Sequence, residues 1–324
     1  MRHPSSTVRA RFPVTPRRYL TIAYVALAAL TVIVLTGAAV RLTDSGLGCP
    51  DWPRCYGNAY PPLQTHALIE FGNRVVGAVV GVAVLLVAVL AFRRRPYRRD
   101  LALLALTLPL GVLAQAVLGG LTVVDKLAPG LVMAHFALSM VILIGAASLA
   151  WRARPPLDRG GEPVDRALVW AVRGLLALAA VAIFAGTAAT ASGPHSGGTN
   201  GQHIDRLHFE GSDTLNWTVH AHGAIAFAFG ICAVLVWVLA ERRGANPVLR
   251  RALTWLCALI ALQGVVGTVQ FETHLPTELV WVHVTLASLC WLCALWAVAA
   301  AGSLAPDRAR KSAQIRASVV PRNL

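Results

Sequence analysis

Eight apolar segments, each about twenty residues long, dominate this chain and restrict what it can fold into. An α-helix needs an apolar run of this length to cross the hydrocarbon core of a bilayer. Only 14% of the 324 residues are charged, and the segments lack the polar faces that soluble helices carry. We therefore predict an all-α integral membrane protein. The predicted spans are residues 19–40, 68–92, 101–123, 130–152, 167–190, 216–240, 248–271 and 278–302.

An internal repeat divides the eight spans into two halves of four. A Gln-Gly-Pro-His series occurs twice, with 20 residues from glutamine to histidine in each copy and an offset of 148 between those two residues. Its members are Gln115, Gly119, Pro129 and His135, then Gln263, Gly267, Pro276 and His283. Because each half holds an even number of spans, the copies run parallel. The repeat predicts two pseudo-symmetric four-helix bundles related by an axis along the membrane normal.

The repeat and the composition also predict the domain boundaries. A linker rich in proline, glycine and charge separates the two bundles. The predicted parts are a basic N-terminus (1–18), a first bundle (19–152), the linker (153–166), a second bundle (167–302) and a basic tail (303–324).

The distribution of basic residues predicts the orientation in the membrane. Of the 29 lysines and arginines, 24 lie at the two ends and in every second loop, which is the positive-inside pattern for two cytoplasmic termini. We therefore interpret the net charge of +14 as a topology signal in a cell-membrane protein, with some attraction for anionic lipid and no nucleic-acid partner. The first apolar run is longer than a signal-peptide core, which predicts a retained helix.

Two of the six cysteines, Cys49 and Cys55, differ from the others in their surroundings. They lie in the first long outer loop, within GLGCPDWPRCYG, whereas the other four lie inside apolar helices. The outer loops face an oxidising compartment, where a disulfide persists. We predict a Cys49–Cys55 disulfide.

Histidines at matched depth in facing helices predict a heme site in the second half. His220 lies about one turn into the sixth span, and His283 about two turns into the eighth. Two neutral imidazoles on opposite sides of a heme saturate its iron and favour electron transfer. The alternative is a histidine that merely hydrogen-bonds across helices. His222 lies two residues from His220 and is expected to face the other side of its helix, in a structural role.

The first half offers an unequal pair of residues. His135 repeats the position of His283, but the repeat sets Asn73 against His220, and asparagine is a poor iron ligand. We predict that His135 binds a second heme and that Asn73 lies at its other face. That leaves one axial position free, as oxygen or substrate chemistry requires, unless water or His66 fills it.

Glu70 and Arg74 form the only charged pair of the second span. Their i, i+4 spacing places them on one helix face, and ionisable groups inside a membrane are usually functional. We predict Glu70 as a catalytic proton acceptor or electrostatic stabiliser, and Arg74 as a cofactor-binding residue that pairs with Glu70 or a heme propionate. The alternative for Glu70 is a solvated position at the membrane interface.

Together these motifs resemble the heme A synthase family, in an actinobacterial-type form. The resemblance covers residues 20–302 and is most specific in GAAVRLTDSGLGCPDWPRCYGNAYPP (37–62), IEFGNR (69–74) and TASGPHSGG (190–198). It implies oxidation of a ring methyl of heme O, through an alcohol, to the formyl group of heme A for cytochrome oxidase. It also implies a bis-histidine heme b in the second half, a substrate heme in the first, Glu70 as catalyst and a Cys49–Cys55 pair.

One departure concerns the first half, where Asn73 replaces the histidine of the family's helix-2 motif. The resemblance implies heme O synthase and cytochrome oxidase assembly factors as partners, and a homo-oligomer is a further possibility. Two other functions fit the same helices. A non-catalytic electron carrier would hold heme b and leave heme O unchanged, and a heme-delivery chaperone or transporter would transfer unmodified heme.

Overall fold

The computed structural model describes residues 13–159, 164–199, 202–209 and 213–302. Within these residues it contains eight long α-helices, one short 3-10 turn and no β-strand, which confirms the predicted all-α class. The helices are α1 (Pro16–Leu42), α2 (Thr65–Arg93), α3 (Arg99–Val124), α4 (Pro129–Ala153), α5 (Arg166–Ser192), α6 (Thr214–Arg242), α7 (Pro247–Glu272) and α8 (Thr277–Ala301). Residues 1–12 of the predicted basic N-terminus, residues 160–163 of the linker and the whole tail 303–324 lie outside the described residues.

All eight helices are long and apolar enough to cross a bilayer, so the chain is a multi-pass membrane protein. Each has 25 to 29 residues, which at 1.5 Å per residue exceeds the roughly 30 Å of hydrocarbon to be crossed. The termini follow ordinary capping chemistry. Prolines begin α1, α4 and α7, and the Asn246 side chain accepts a hydrogen bond from Leu249 N at 2.9 Å.

Helix contacts close into one ring in each half. Helix α1 contacts α2, α2 contacts α3, α3 contacts α4, and α4 returns to α1. Helices α5 to α8 contact one another in the same cyclic order. In each ring the second and fourth helices therefore occupy opposite corners, separated by the first and third. The division into two domains and their pseudo-two-fold relation remain predictions from the repeat.

The halves are joined mainly through α8, which packs against α1 and α4, and by the contact of α4 with α5. Two indole groups of α8 mark this interface. Trp281 Nε1 donates to Leu35 O and Trp291 Nε1 donates to Met140 O, each at 3.0 Å. At the helix ends where α1 stops and α2 begins, which we call the disulfide end, Arg41 Nε donates to His195 O at 2.9 Å. These bonds fix the side of α1 that faces the second half.

Candidate functional site

The second half brings two histidines face to face across its ring. His222 on α6 and His283 on α8 have ring centroids 6.1 Å apart, with the rings at 71° to each other. His222 Nδ1 lies 3.0 Å from Ala182 O on α5, and because a carbonyl only accepts, that nitrogen carries the proton. The other nitrogen of His222, Nε2, is then free to bind a metal. A backbone carbonyl that orients the ring in this way is typical of metal-binding histidines.

Glycines of the neighbouring helices make room for both rings. A Cβ on Gly186 of α5 would lie 3.0 Å from His222 Cε1, and a Cβ on Gly267 of α7 would lie 3.0 Å from His283 Cε1. These distances are tighter than ordinary van der Waals contact. Each imidazole is thus seated against a stretch of bare helix backbone, and a side chain at either glycine would displace it.

The structure does not bring His220 to His283. His220 is exposed on the outside of α6, its Nδ1 lies 2.8 Å from Asn216 O, and its ring packs edge-on against Phe271 of α7. The physical reason is the helix period, because two residues along a helix turn the side chain by about 200°. The residue expected to be structural, His222, faces His283, and the expected ligand His220 faces outward.

The first half repeats this frame with one substitution. His135 on α4 is seated against Gly119 of α3, where a Cβ would lie 3.1 Å from its Cε1, and Gln115 Nε2 donates to His135 O at 3.0 Å. Gln263 makes the same 3.0 Å bond to His283 O in the second half. On α2, which lies at the corner opposite α4, Asn73 accepts a 2.8 Å hydrogen bond from Thr36 Oγ1 of α1.

The contacts fix the register of the repeat on the second helix of each half. Asn73 lies beside Gly37 of α1, and His222 lies beside Gly186 of α5, so that both pairs differ by 149 residues. Asn73 therefore corresponds to His222, and its predicted alignment with His220 is corrected by two residues. The sequence signal that could have found this is the pair of helix glycines, which occur at the same offset.

The paired imidazoles suit a metal held between two ligands from opposite sides. Two nitrogen–metal bonds of about 2 Å each fit within the 6.1 Å between the ring centroids. Throughout the described ranges, no group of three or more histidine, cysteine or acidic residues could hold a bare metal ion. His135 and His283 each leave Nδ1 buried and without a partner in the described part of the chain. The donor sets, two imidazoles in one half and one in the other, fit the axial positions of hemes.

The Cys49–Cys55 disulfide is present, which confirms the prediction. Both cysteines are fully buried, and the loop that they close lies over the start of α2. A Cβ on Gly48 would overlap the backbone carbonyl of His66, so only glycine permits this close approach. At the far side, the ring of Trp52 packs against Gly120 of α3. The loop thus covers the disulfide end of the first ring between α2 and α3.

Glu70 and Arg74 attach this loop to α2. Glu70 is buried; its Oε2 accepts from Cys49 N at 2.7 Å, and its Oε1 pairs with Arg74 Nη2 at 2.5 Å. Arg74 also donates to the carbonyl oxygens of Asp51 and Arg54, at 3.0 and 2.8 Å. The predicted pairing of the two residues is therefore present. The anchoring of the disulfide loop by both side chains was not predicted.

His66 lies too far along α2 to share a site with Asn73. Seven residues separate them, a rise of about 10 Å in a helix. His66 Nδ1 lies 3.0 Å from the hydroxyl oxygen of the buried Ser45, in the loop that follows α1. The structure therefore brings His66, one of the two sixth ligands considered for the first site, to Ser45 and away from the level of Asn73.

These features define a class: a polytopic helical membrane protein with histidines at matched positions of two four-helix rings. The chain belongs to the COX15-CtaA family of cytochrome oxidase assembly proteins, whose profile matches residues 20–68 and 63–295. It is 31% identical over 252 residues to a heme A synthase of Symbiobacterium thermophilum, across 73% of this chain and 80% of that protein.

Two other relatives match over a smaller share of their own length. A heme A synthase of Lysinibacillus sphaericus is 35% identical over 127 residues, which cover 38% of this chain and 41% of that protein. A protoheme IX farnesyltransferase of Thermus thermophilus is 29% identical over 274 residues, which cover 81% of this chain and 45% of that protein. More than half of the Thermus protein thus lies outside the aligned region.

Proposed function

We propose that this protein is a heme A synthase, a membrane oxidoreductase that converts a ring methyl of heme O to the formyl group of heme A. One observation beyond family membership carries the proposal. Two rings of the same design differ at a single facing position, His222 in one and Asn73 in the other. A heme in the first ring would be held by one imidazole and would face an amide, whereas a heme in the second would be held by two imidazoles, which suits one substrate site and one electron-transfer site.

In the second half, we propose that His222 and His283 hold heme b. This replaces the predicted pair of His220 and His283. The bond from His222 Nδ1 to Ala182 O fixes the tautomer and leaves Nε2 able to bind iron. Gly186 and Gly267 keep the two rings at their spacing. A bound heme would supply one-electron transfer here. The protein's contribution is to fix the positions and orientations of the two imidazoles.

In the first half, we propose that His135 holds the substrate heme and that Glu70 acts beside it. Arg74 and Cys49 N fix both carboxylate oxygens of Glu70. A carboxylate held in this way can accept a proton or stabilise positive charge on a reacting group. Arg74 serves as the positioning partner of Glu70 and the loop anchor. The disulfide loop would exclude water from this end of the ring.

We further propose that the protein lies in the cell membrane with both termini in the cytoplasm. The proposal rests on the positive-inside distribution of its basic residues. A protoheme farnesyltransferase is the partner that the comparisons favour. The Thermus protein of that name contains a region similar to this chain, and more than half of its length lies outside that region. Such an enzyme is the heme O synthase named from the sequence resemblance. Cytochrome oxidase assembly factors would receive the product.

The test is mass-resolved chromatography of hemes extracted from cells that make heme O, with and without this protein. We expect hydroxylated or formylated heme only in cells that contain it. Heme b in the purified protein together with unchanged heme O would reject the proposal in favour of an electron carrier. Transfer of unmodified heme O to an acceptor protein would favour a delivery chaperone.

A further inference from the structure

Asn73 is placed where the second half has a ligand, but its amide has a different chemical capacity. An asparagine side chain presents one acceptor and two donor hydrogens. Its Oδ1 is already bound to Thr36 Oγ1 at 2.8 Å, whereas its Nδ2 donates to no group in the described part of the chain. The amide nitrogen therefore keeps its donor hydrogens available for a bound ligand.

The orientation of this amide is set from α1. The Thr36 hydroxyl has one hydrogen, and it lies nearer to Asn73 Oδ1, at 2.8 Å, than to Ile33 O, at 3.2 Å. With Oδ1 held by Thr36, Nδ2 points away from that hydroxyl. The neighbouring Gly37 has no side chain, and even a Cβ there would lie 3.9 Å from Nδ2. This neighbour on α1 therefore places no side chain against the amide nitrogen.

The backbone that carries Thr36 is held in turn from the second half. Trp281 Nε1 donates to Leu35 O, the carbonyl of the residue before Thr36, at 3.0 Å. Trp281 lies two residues before His283 on α8. The hydroxyl that orients Asn73 therefore has a fixed position relative to both rings.

We propose that Asn73 is a distal hydrogen-bond donor: its Nδ2 donates to a small ligand on the open axial position of the heme that His135 holds, and Thr36 is the positioning residue. This rests on the proposed function, in which that heme is the substrate. The ligand class is a small molecule or anion with an acceptor atom, such as carbon monoxide or azide. An amide donor stabilises such a ligand and leaves the iron free to bind it. A histidine at this position would itself bind the iron.

The experiment uses the full-length protein purified with heme O and compares it with Asn73→Leu and Thr36→Val. Reduced samples receive carbon monoxide, and the C–O stretching frequency is recorded by infrared spectroscopy. A donated hydrogen bond draws electron density toward the ligand oxygen and lowers that frequency. We expect a shift to higher frequency in Asn73→Leu and a smaller shift in the same direction in Thr36→Val. Azide binding to the ferric protein should weaken about tenfold in Asn73→Leu, as for one charge-assisted hydrogen bond.

Asn73→His serves as the opposite control, because it would make the first ring resemble the second. That variant should lose carbon monoxide binding and gain a second low-spin heme spectrum. The heme b spectrum of the second half reports whether each variant is folded. An unchanged C–O frequency in folded Asn73→Leu would overturn the proposal, as would a wild-type protein that binds no carbon monoxide. Either result could coexist with heme A formation, whereas loss of the proposed function would appear as no heme A from the wild-type protein.

Discussion

The two halves of this molecule share one helical frame and differ in what they attach to it. Both seat a histidine of the fourth helix against a glycine of the third, and both hold that histidine's carbonyl with a glutamine. On the second helix, however, the first half carries Asn73 and the second carries His222. The same backbone frame thus presents an imidazole in one half and an amide in the other, and the proposed difference between the two heme sites depends on this one side chain.

A second difference concerns charge. Glu70 and Arg74 have Val219 and Gly223 at the equivalent positions, using the offset of 149 that the glycine contacts establish. Among the described residues, the ion pair between Glu70 and Arg74 and the disulfide loop that it anchors lie at the disulfide end of the first ring. An ion pair at this depth is costly in an apolar environment and is retained where it has a task. This difference supports the proposal that the first half carries the chemistry and the second half holds a cofactor.

The largest effect is expected from removing a facing histidine of the second half. His222→Ala or His283→Ala should abolish the low-spin heme b spectrum, because each would remove one of the two proposed ligands. His220→Ala is the matched control, two residues away on the same helix, and should keep that spectrum. Absorption and electron paramagnetic resonance spectra of the purified proteins measure this. Loss of heme b in His220→Ala with retention in His222→Ala would reverse the assignment.

A large effect confined to the first half is expected from Glu70→Gln. The amide keeps the size of the side chain and can still accept from Cys49 N, but it loses the charge that pairs with Arg74. We expect heme A formation to fall about 10²- to 10⁴-fold, the usual contribution of a positioned acid or base, with heme b retained. Extracted hemes and the bound-heme spectrum measure the two quantities.

The matched control for this change is Glu278→Gln, which alters an exposed carboxylate in the first turn of α8. It should leave heme A formation unchanged. Free thiols at Cys49 and Cys55 in the Glu70→Gln protein would indicate that the loop has been lost rather than the charge alone. Near-normal heme A formation by Glu70→Gln would exclude a catalytic role for this residue.

An intermediate effect is expected from filling the space beside His283. Gly267→Ala places a Cβ 3.0 Å from the imidazole, and such overpacking typically costs about 1–3 kcal/mol. Heme b should be retained less tightly, by about tenfold for each 1.4 kcal/mol. Gly264→Ala, three residues earlier on α7, meets nothing within 4 Å and is the control. Heme transfer to an acceptor protein measures the loss; equal rates for the two variants would show that the glycine is not needed for the site.

The smallest effect is expected from Gly37→Ala, and a comparison with Gly186→Ala tests the two halves against each other directly. Gly186→Ala brings a Cβ to 3.0 Å from His222, whereas Gly37→Ala leaves 3.9 Å to Asn73, an ordinary contact. We expect a measurable weakening of heme binding in the second half for Gly186→Ala and almost none in the first half for Gly37→Ala. Heme content of the purified proteins compares them. A greater loss in Gly37→Ala would contradict the proposed equivalence of the two positions.

Much of the fold could be predicted from the sequence because long apolar runs have few alternatives in a membrane. A spanning segment must satisfy its own backbone hydrogen bonds, so twenty apolar residues predict a helix without knowledge of its neighbours. All eight predicted spans lie within the observed helices to within one residue, and the helices extend further at most of their ends. The disulfide was likewise predictable, since its two cysteines are close in sequence and lie outside the spans.

The choice between His220 and His222 could not be made in the same way. Both lie in one apolar helix, and the aligned segment offers a histidine at an offset of either 147 or 149 from Asn73. Helix period separates their directions by about 200° but does not say which direction points inward. The contact of His222 with α5 and its approach to His283 decide it.

The sequence by itself thus determined the helices, the repeat and the residue types available for metal and charge chemistry, because these depend on local composition and spacing. Only the tertiary structure decided which histidine faces its partner, that Glu70 and Arg74 hold the disulfide loop, and that Thr36 orients Asn73. Those outcomes depend on how helices are rotated about their axes and packed against one another. Rotation is set by contacts between residues far apart in the chain, which a single sequence does not pair.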